Sequence, residues 1–191
     1  VLVEHYREQI DAVLARYPVK RSAVLPLLYL AQQAYGYCSE EAMREVAGLL
    51  GLEPTEVFSV AGFYSLFYKQ PVGRYVLEIC DDLPCALRGA EAFVEHVCRR
   101  LGVGVDETTP DGLFTVKTVM CLAACDKAPL LQCNLDYHEN LTPETFDALL
   151  AEWRRQAEAG DSPTGPSAKG PSAKGPGETG PTGGPDAASG A

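Results

Sequence analysis

No stretch of this 191-residue chain is apolar over the roughly 18–20 residues that a bilayer-spanning helix needs. The first residues, Val1-Leu2-Val3-Glu4-His5, lack the basic flank and apolar run of a secretory signal. The expectation is a soluble, cytoplasmic protein with no direct membrane insertion. Positive charge is also scarce. There are 16 Lys and Arg against 26 Asp and Glu, and the formal net charge is −10. No basic run exceeds Arg99-Arg100 or Arg154-Arg155, so the chain should repel phosphate backbones, and no nucleic-acid partner is expected. A phosphate-binding loop and a Gly-x-Ser-x-Gly elbow are both missing. Gly102-Val103-Gly104 lacks the third glycine of a dinucleotide fingerprint and reads as a helix stop. The paired acids Glu40-Glu41 and Asp81-Asp82 read as helix-terminus and solvent-facing charges rather than acid–base catalysts.

What is present is a globular composition, 46% apolar and 22% charged. The last 32 residues, 160–191, stand apart, with 9 of the 18 Gly and 6 of the 14 Pro. They repeat Gly165-Pro166-Ser167-Ala168-Lys169 as Gly170-Pro171-Ser172-Ala173-Lys174 and hold no Leu, Ile, Val, Met or aromatic residue. Such a segment buries too little apolar surface to offset its ordering entropy, so a disordered tail is expected.

The pattern before Pro71-Val72-Gly73 is helical. Val3, Tyr6, Ile10, Val13, Leu14 and Tyr17 recur at helical spacing until Pro18. Ser22 is a candidate cap for a helix running to Tyr35, with Gly36 as its stop. Ser39 caps a third helix that ends before Gly51, and a fourth runs from Pro54-Thr55 to Phe63. Residues 1–72 therefore read as a helical bundle. From residue 73 to 159 the pattern is mixed α/β. Strands are expected at Arg74–Ile79 and Phe114–Val119, and a helix at Ala86–Leu101. A hairpin should turn across Asn134-Leu135-Asp136, and a last helix should run from Pro143 to Gln156 behind the cap Thr142.

Seven cysteines cannot all pair within one chain, and clustered cysteines without a secretion signal point to metal or redox chemistry. Four form two close pairs, Cys80/Cys85 in C-x4-C and Cys121/Cys125 in C-x3-C, with 35 residues between them. Each pair follows an expected strand. If those strands are neighbours, both loops emerge at one edge and four thiols converge, as an iron–sulfur cluster or a closed zinc site requires. The spacing separates the two only partly. A two-iron rhomb is longer than one ion and suits a loop as wide as Asp81-Asp82-Leu83-Pro84, and Ala123-Ala124 leaves backbone N–H groups accessible to sulfur. With no Cys-x-x-Cys, thiol–disulfide chemistry is the weaker reading.

The segment Cys80-Asp81-Asp82-Leu83-Pro84-Cys85-Ala86-Leu87-Arg88-Gly89 resembles the first half of a family motif. Cys121-Leu122-Ala123-Ala124-Cys125-Asp126-Lys127-Ala128-Pro129 resembles the second half. Ser59-Val60-Ala61-Gly62-Phe63-Tyr64 and Pro71-Val72-Gly73-Arg74-Tyr75 resemble the junction of its two parts. Together they are similar to the thioredoxin-like 2Fe–2S subunit of the NADH-dehydrogenase module of respiratory complex I, the smaller iron–sulfur partner of the flavoprotein. The resemblance covers about residues 1–157. It implies an α/β (α+β) architecture, in which a helical bundle precedes a thioredoxin-like 2Fe–2S ferredoxin domain. It implies that Cys80, Cys85, Cys121 and Cys125 ligate one 2Fe–2S cluster, while FMN and NADH sit on a partner flavoprotein subunit. Further peripheral-arm subunits, and a place on the cytoplasmic face of the inner membrane, follow from the same likeness. The sequence departs from the pattern at Ala123, where the family usually has Gly, and at Ser59 and Gly62, which replace the usual Gly and Thr. The Gly/Pro tail has no counterpart.

The bland reading holds for the remaining candidates. Cys98 and Cys133 are expected to pack in the core. Cys38 precedes a helix start, where a thiol pKa can fall, but is expected to be a loop cysteine without a role. His5, His96 and His138 show no mutual metal spacing. Asp81, Asp82 and Asp126 should disfavour cluster reduction while Lys127 and Arg88 favour it, and a low potential is expected, near the plant-type ferredoxin value of about −400 mV. Two other readings stand beside this one. The first is the equivalent subunit of a soluble NAD-linked hydrogenase or formate dehydrogenase. The second is a zinc-stabilised interaction module with no redox role.

Overall fold

A computed structural model describes residues 1–160. The tail expected beyond Gly160 lies outside the described residues. Four helices come first: α1 (Leu2–Arg16), α2 (Val24–Tyr35), α3 (Glu40–Leu50) and α4 (Pro54–Phe63). Their stops and starts follow local chemistry. Gly36 and Gly51 end α2 and α3 in the left-handed conformation, and the Ser39 side chain accepts a hydrogen bond from the Ala42 N–H at the head of α3. Ser22 does not cap α2. It sits in a 3-10 turn, Lys20–Ala23, and α2 begins at Val24 without a side-chain cap. Pro26 thereby falls in the first turn of α2, where its missing N–H has no helical partner to lose. The head of α1 is capped from another helix: the Glu45 carboxylate of α3 accepts from the Leu2 and Val3 N–H groups at 3.2 and 3.1 Å.

The second half is built on a sheet of four strands: β1 (Tyr75–Cys80), β2 (Phe114–Val119), β3 (Leu131–Cys133) and β4 (Asp136–His138). Their order is β2-β1-β3-β4, with β1 parallel to β2 and antiparallel to β3. The helix expected over 86–101 is divided. A single turn, α5 (Leu83–Ala86), is followed by Gly89 at φ +92° and then by α6 (Ala90–Leu101). Glycine carries no Cβ penalty at that angle, so the chain turns there and helix periodicity restarts. The long last helix is α7 (Pro143–Glu158), capped by Thr142 as its sequence suggests. The hairpin turn is shorter than expected: Asn134 and Leu135 alone make it, both at positive φ, and Asp136 already belongs to β4. Asn134 is anchored by a hydrogen bond from the Val76 N–H and by one it donates to the Arg74 carbonyl.

Period-two patterning explains the core. Tyr75, Leu77 and Ile79 of β1, with Phe114 and Val116 of β2, face a layer made by Phe93, Val97 and Leu101 of α6 and Phe146, Leu150 and Trp153 of α7. A separate cluster holds the helices together, running from Leu2 to Phe67. No helix among the described residues is long and apolar enough to cross a membrane.

Candidate metal centre

Cys80 is the last residue of β1 and lies opposite Val119, the last residue of β2. Cys121 follows two residues later. Because the two strands are parallel neighbours, both cysteine loops leave the sheet at the same edge. The Asp81 N–H donates to the Val119 carbonyl at 3.1 Å, extending the ladder into the loops. The Cys80 thiol lies 3.7 Å from the Met120 carbonyl, against the backbone that leads to Cys121.

Each loop has its own brace. In the first, the Asp82 side chain accepts from the Leu83 N–H at 2.9 Å and caps the single turn that carries Cys85. In the second, Ala123 has φ +57°, in the region that favours glycine, which gives a physical reason for the family's Gly there. That conformation lets the Ala123 N–H donate to the Cys121 sulfur at 3.3 Å. A 3-10 turn over Cys125–Lys127 completes the loop.

The site has a buried wall and an open side. Cys80 and Cys85 are buried in an apolar cluster with Ala90, Ala128 and Leu130, while Cys125 is half-buried and Cys121 exposed. Burial pushes the Cys85 thiol up to about 12, reinforced by its hydrogen bond and charge interaction with Cys80 and then by Cys125 and Cys121. Burial also raises Cys125, followed by the nearness of Cys121 and Cys80 and, more weakly, of Asp82. The four sulfurs are thus within electrostatic reach of one another. Taking them all to thiolates needs a compensating cation, and binding one would release protons.

Cys85 feels Cys80 most strongly of the other thiols, and Cys125 feels Cys121 most strongly. Among the described residues, no three His, Cys, Asp or Glu side chains close around a single ion-sized point. Two pairs of soft sulfur donors on two loops, with a backbone N–H aimed at one sulfur, fit a two-iron cluster held by two cysteines per iron.

Two side chains that brace the loops, Arg88 from the first loop and Tyr137 from β4, were not legible as such in the sequence. Arg88 Nε donates to the Ala128 carbonyl at 3.0 Å and Tyr137 Oη to the Leu122 carbonyl at 2.9 Å. The only sequence signal was that Arg88 lies three residues past Cys85. Lys127 is paired with Glu139 at 2.9 Å.

The other candidates lie elsewhere. Cys133 is buried in the sheet core and Cys98 packs half-buried on α6. Cys38 lies in the loop between α2 and α3, as its place before a helix suggested, but it is not exposed there. It is fully buried beside Leu28 and Gln32, and burial pushes its thiol up to about 12 rather than down. His96 meets Asp147 at 3.0 Å, His138 lies edge-on to Trp153, and His5 contacts the Val1 carbonyl, so none joins the thiol site.

A mixed four-stranded sheet backed by two helices, with two cysteine pairs at one sheet edge, defines a thioredoxin-like iron–sulfur type of domain. The profile of the thioredoxin-like [2Fe–2S] ferredoxin family matches residues 10–154, and the chain belongs to that family. It is 47% identical over 148 residues to an NADH-quinone oxidoreductase subunit of Rhizobium meliloti, covering 78% of this chain and 88% of that protein. It is 43% identical over 148 residues to NADH-quinone oxidoreductase subunit 2 of Thermus thermophilus, covering 76% and 82%. Among solved structures, an NAD+-reducing [NiFe]-hydrogenase in the H2-reduced state is similar, with a TM-score of 0.61 and 26% identity. That match covers 70% of this chain but only 23% of the hydrogenase chain.

Proposed function

We propose that this chain is the electron-transfer subunit of an NADH:quinone oxidoreductase, with Cys80, Cys85, Cys121 and Cys125 as the ligands of one 2Fe–2S cluster. The observation that carries the reading is the meeting of the two cysteine pairs at the C-terminal edge of β1 and β2. The names of the relatives supply the complex. When bound, such a cluster accepts and returns single electrons.

The residues of this chain hold and tune it. Cys80 and Cys85 bind from the buried wall, where low polarity strengthens every nearby charge. Cys121 and Cys125 bind from the open side, which a partner can approach. The Ala123 N–H stabilises negative charge on the Cys121 sulfur. Asp82 opposes added negative charge and Arg88 favours it. NADH and FMN belong to a partner flavoprotein subunit in this reading. The chain lies among peripheral-arm subunits at the cytoplasmic face of the inner membrane.

A second reading is the equivalent subunit of an NAD-linked hydrogenase, and the likeness to the hydrogenase structure favours it. The higher identity to oxidoreductase subunits, over nearly their whole length, weighs for the first.

Iron and acid-labile sulfide analysis of anaerobically purified protein, with EPR after dithionite reduction, tests the site. Two irons and two sulfides per chain are expected, with a rhombic signal lost in Cys80→Ala and in Cys121→Ala. Stoichiometric zinc without sulfide sinks the redox reading and makes the domain a structural module. Co-purification with hydrogenase subunits, rather than membrane-arm subunits, selects the second reading over the first.

A further inference from the structure

We propose that Arg88 is the positioning residue of the thiol site: it clasps the Cys80–Cys85 loop to the Cys121–Cys125 loop and places an uncompensated cation between them. The inference rests on the 2Fe–2S reading above and adds a residue that the ligand set does not contain.

Three observations carry it. The first is placement. Arg88 stands three residues past Cys85, and its acceptor, the Ala128 carbonyl, stands three residues past Cys125, so one hydrogen bond of 3.0 Å joins equivalent points of the two loops. Ala128 and Leu130 belong to the same apolar cluster as Cys80 and Cys85, so this bond from the exposed Arg88 ties the first loop to the backbone of the buried wall.

The second is charge. The two thiol loops carry two cations, Arg88 and Lys127. Lys127 is compensated by Glu139 at 2.9 Å. Among the described residues, no carboxylate pairs with Arg88. Four thiolates make an anionic site and an added electron makes it more so. The unpaired guanidinium therefore favours the reduced form more than Lys127 does.

The third is a built-in control. Tyr137 also reaches across to the second loop, at the Leu122 carbonyl, but brings no charge. Loosening the loop and removing a cation can therefore be separated.

The test uses the full chain loaded with its cluster. Cluster content, the rate of iron release to a chelator, and the EPR midpoint potential are measured for four proteins. These are wild type, Arg88→Gln, Arg88→Lys and Tyr137→Phe. Arg88→Gln is expected to lose iron faster and to shift the reduction equilibrium roughly three- to tenfold toward the oxidised form, tenfold being about 59 mV for a one-electron couple. The shift should shrink as salt is raised. Arg88→Lys keeps the charge but not the guanidinium geometry, so its potential should stay near wild type while iron release quickens. Tyr137→Phe should quicken iron release at unchanged potential.

An Arg88→Gln protein with wild-type potential overturns the role of the cation. An Arg88→Lys protein that holds iron as well as wild type overturns the clasp. If Arg88→Gln takes up no cluster at all, Arg88→Lys decides alone. It must then load, release iron faster and keep the wild-type potential, and a protein that does otherwise overturns the proposal. A wild-type protein that carries zinc and no sulfide fails the underlying reading instead, and is told apart before any variant is made.

Discussion

The helical half of the molecule buries mostly small and aliphatic side chains from helices close in sequence, Leu27, Leu28, Ala31, Ala42, Val46 and Ala47 among them, with Phe67 as a buried ring against Tyr29. The sheet half buries Tyr75, Phe93, Phe114, Phe146 and Trp153, and its strands pair across long stretches of chain. Tyr75 stacks on Phe114 and on Trp153, with ring centroids 5.2 and 5.9 Å apart, and its hydroxyl donates to the Trp153 carbonyl. Helices close in sequence can pack with modest side chains because little chain entropy is spent in closing the loops between them. A sheet whose neighbouring strands lie far apart in sequence needs larger burial per residue to fix its register, and aromatic side chains supply it. The thiol site sits on the half with the more aromatic core.

The contrast between the halves is tested most severely by removing one thiol from each. Cys85→Ala should abolish the iron and sulfide content and the EPR signal of the reduced protein. Cys38→Ala, an equally buried thiol in the helical half, should leave both in place; loss of iron there would overturn the assignment of ligands. Core truncations come next. Phe146→Ala should cost about 3–5 kcal/mol and Leu28→Ala about 2–5 kcal/mol in urea unfolding. Only Phe146→Ala should also speed cluster loss, followed by visible absorbance, because the layer it supports carries β1. Equal loss from both variants would mean that the two cores act as one.

A milder, pH-dependent difference is expected at the head of α1. Burial opposes ionisation of Glu45, but the Tyr35 hydroxyl and the Val3 and Leu2 N–H groups outweigh it and hold the carboxyl below its usual value. A carboxyl whose pKa is lower folded than unfolded adds stability that is fully present above its unfolded value, roughly 4.3. That stability is lost as pH falls from there through the folded value. The protection of α1 amides, taken relative to their intrinsic exchange rate at each pH, should therefore fall as the pH drops below about 4.3, and Glu45→Gln should remove that part of the pH dependence. The weakest change is a gain. Ala123→Gly relieves a left-handed conformation worth roughly 1–2 kcal/mol, less the roughly 0.4–1 kcal/mol by which glycine stabilises the unfolded chain. Iron release should slow slightly, and a faster release would show that the Ala123 methyl packs usefully.

Much of this arrangement was legible in the sequence. The apolar run Arg74–Ile79 and the Thr/Val-rich run Phe114–Val119 marked two strands, and the cysteines that follow them came with it. That the two strands are neighbours was not legible, because adjacency is decided by how α6, which joins them in sequence, packs on the face of the sheet rather than by any local signal. Gly89 was visible as a glycine, yet Ala86-Leu87-Arg88 before it are good helix formers and hid the break between α5 and α6. The turn at Asn134-Leu135 lacked a glycine to announce two positive φ angles; what stabilises it is the pairing of the Asn134 side chain with Val76 of β1 and with Arg74 just before that strand. The hydrogen bonds of Arg88 and Tyr137 end on carbonyls, and every residue has a carbonyl, so sequence could not have named their partners.

The alignment of Cys80 with Val119 has one more consequence. Sliding β1 past β2 by a single residue would displace the first thiol loop by about 3.3 Å relative to the second. The same slip would turn Tyr75, Leu77 and Ile79 away from the aromatic layer. An error too small for a loop to detect is thus magnified into one the whole core rejects. The hydrophobic layer acts as a proofreader for the thiol site, so a chain that folds at all arrives with its two cysteine loops already in step.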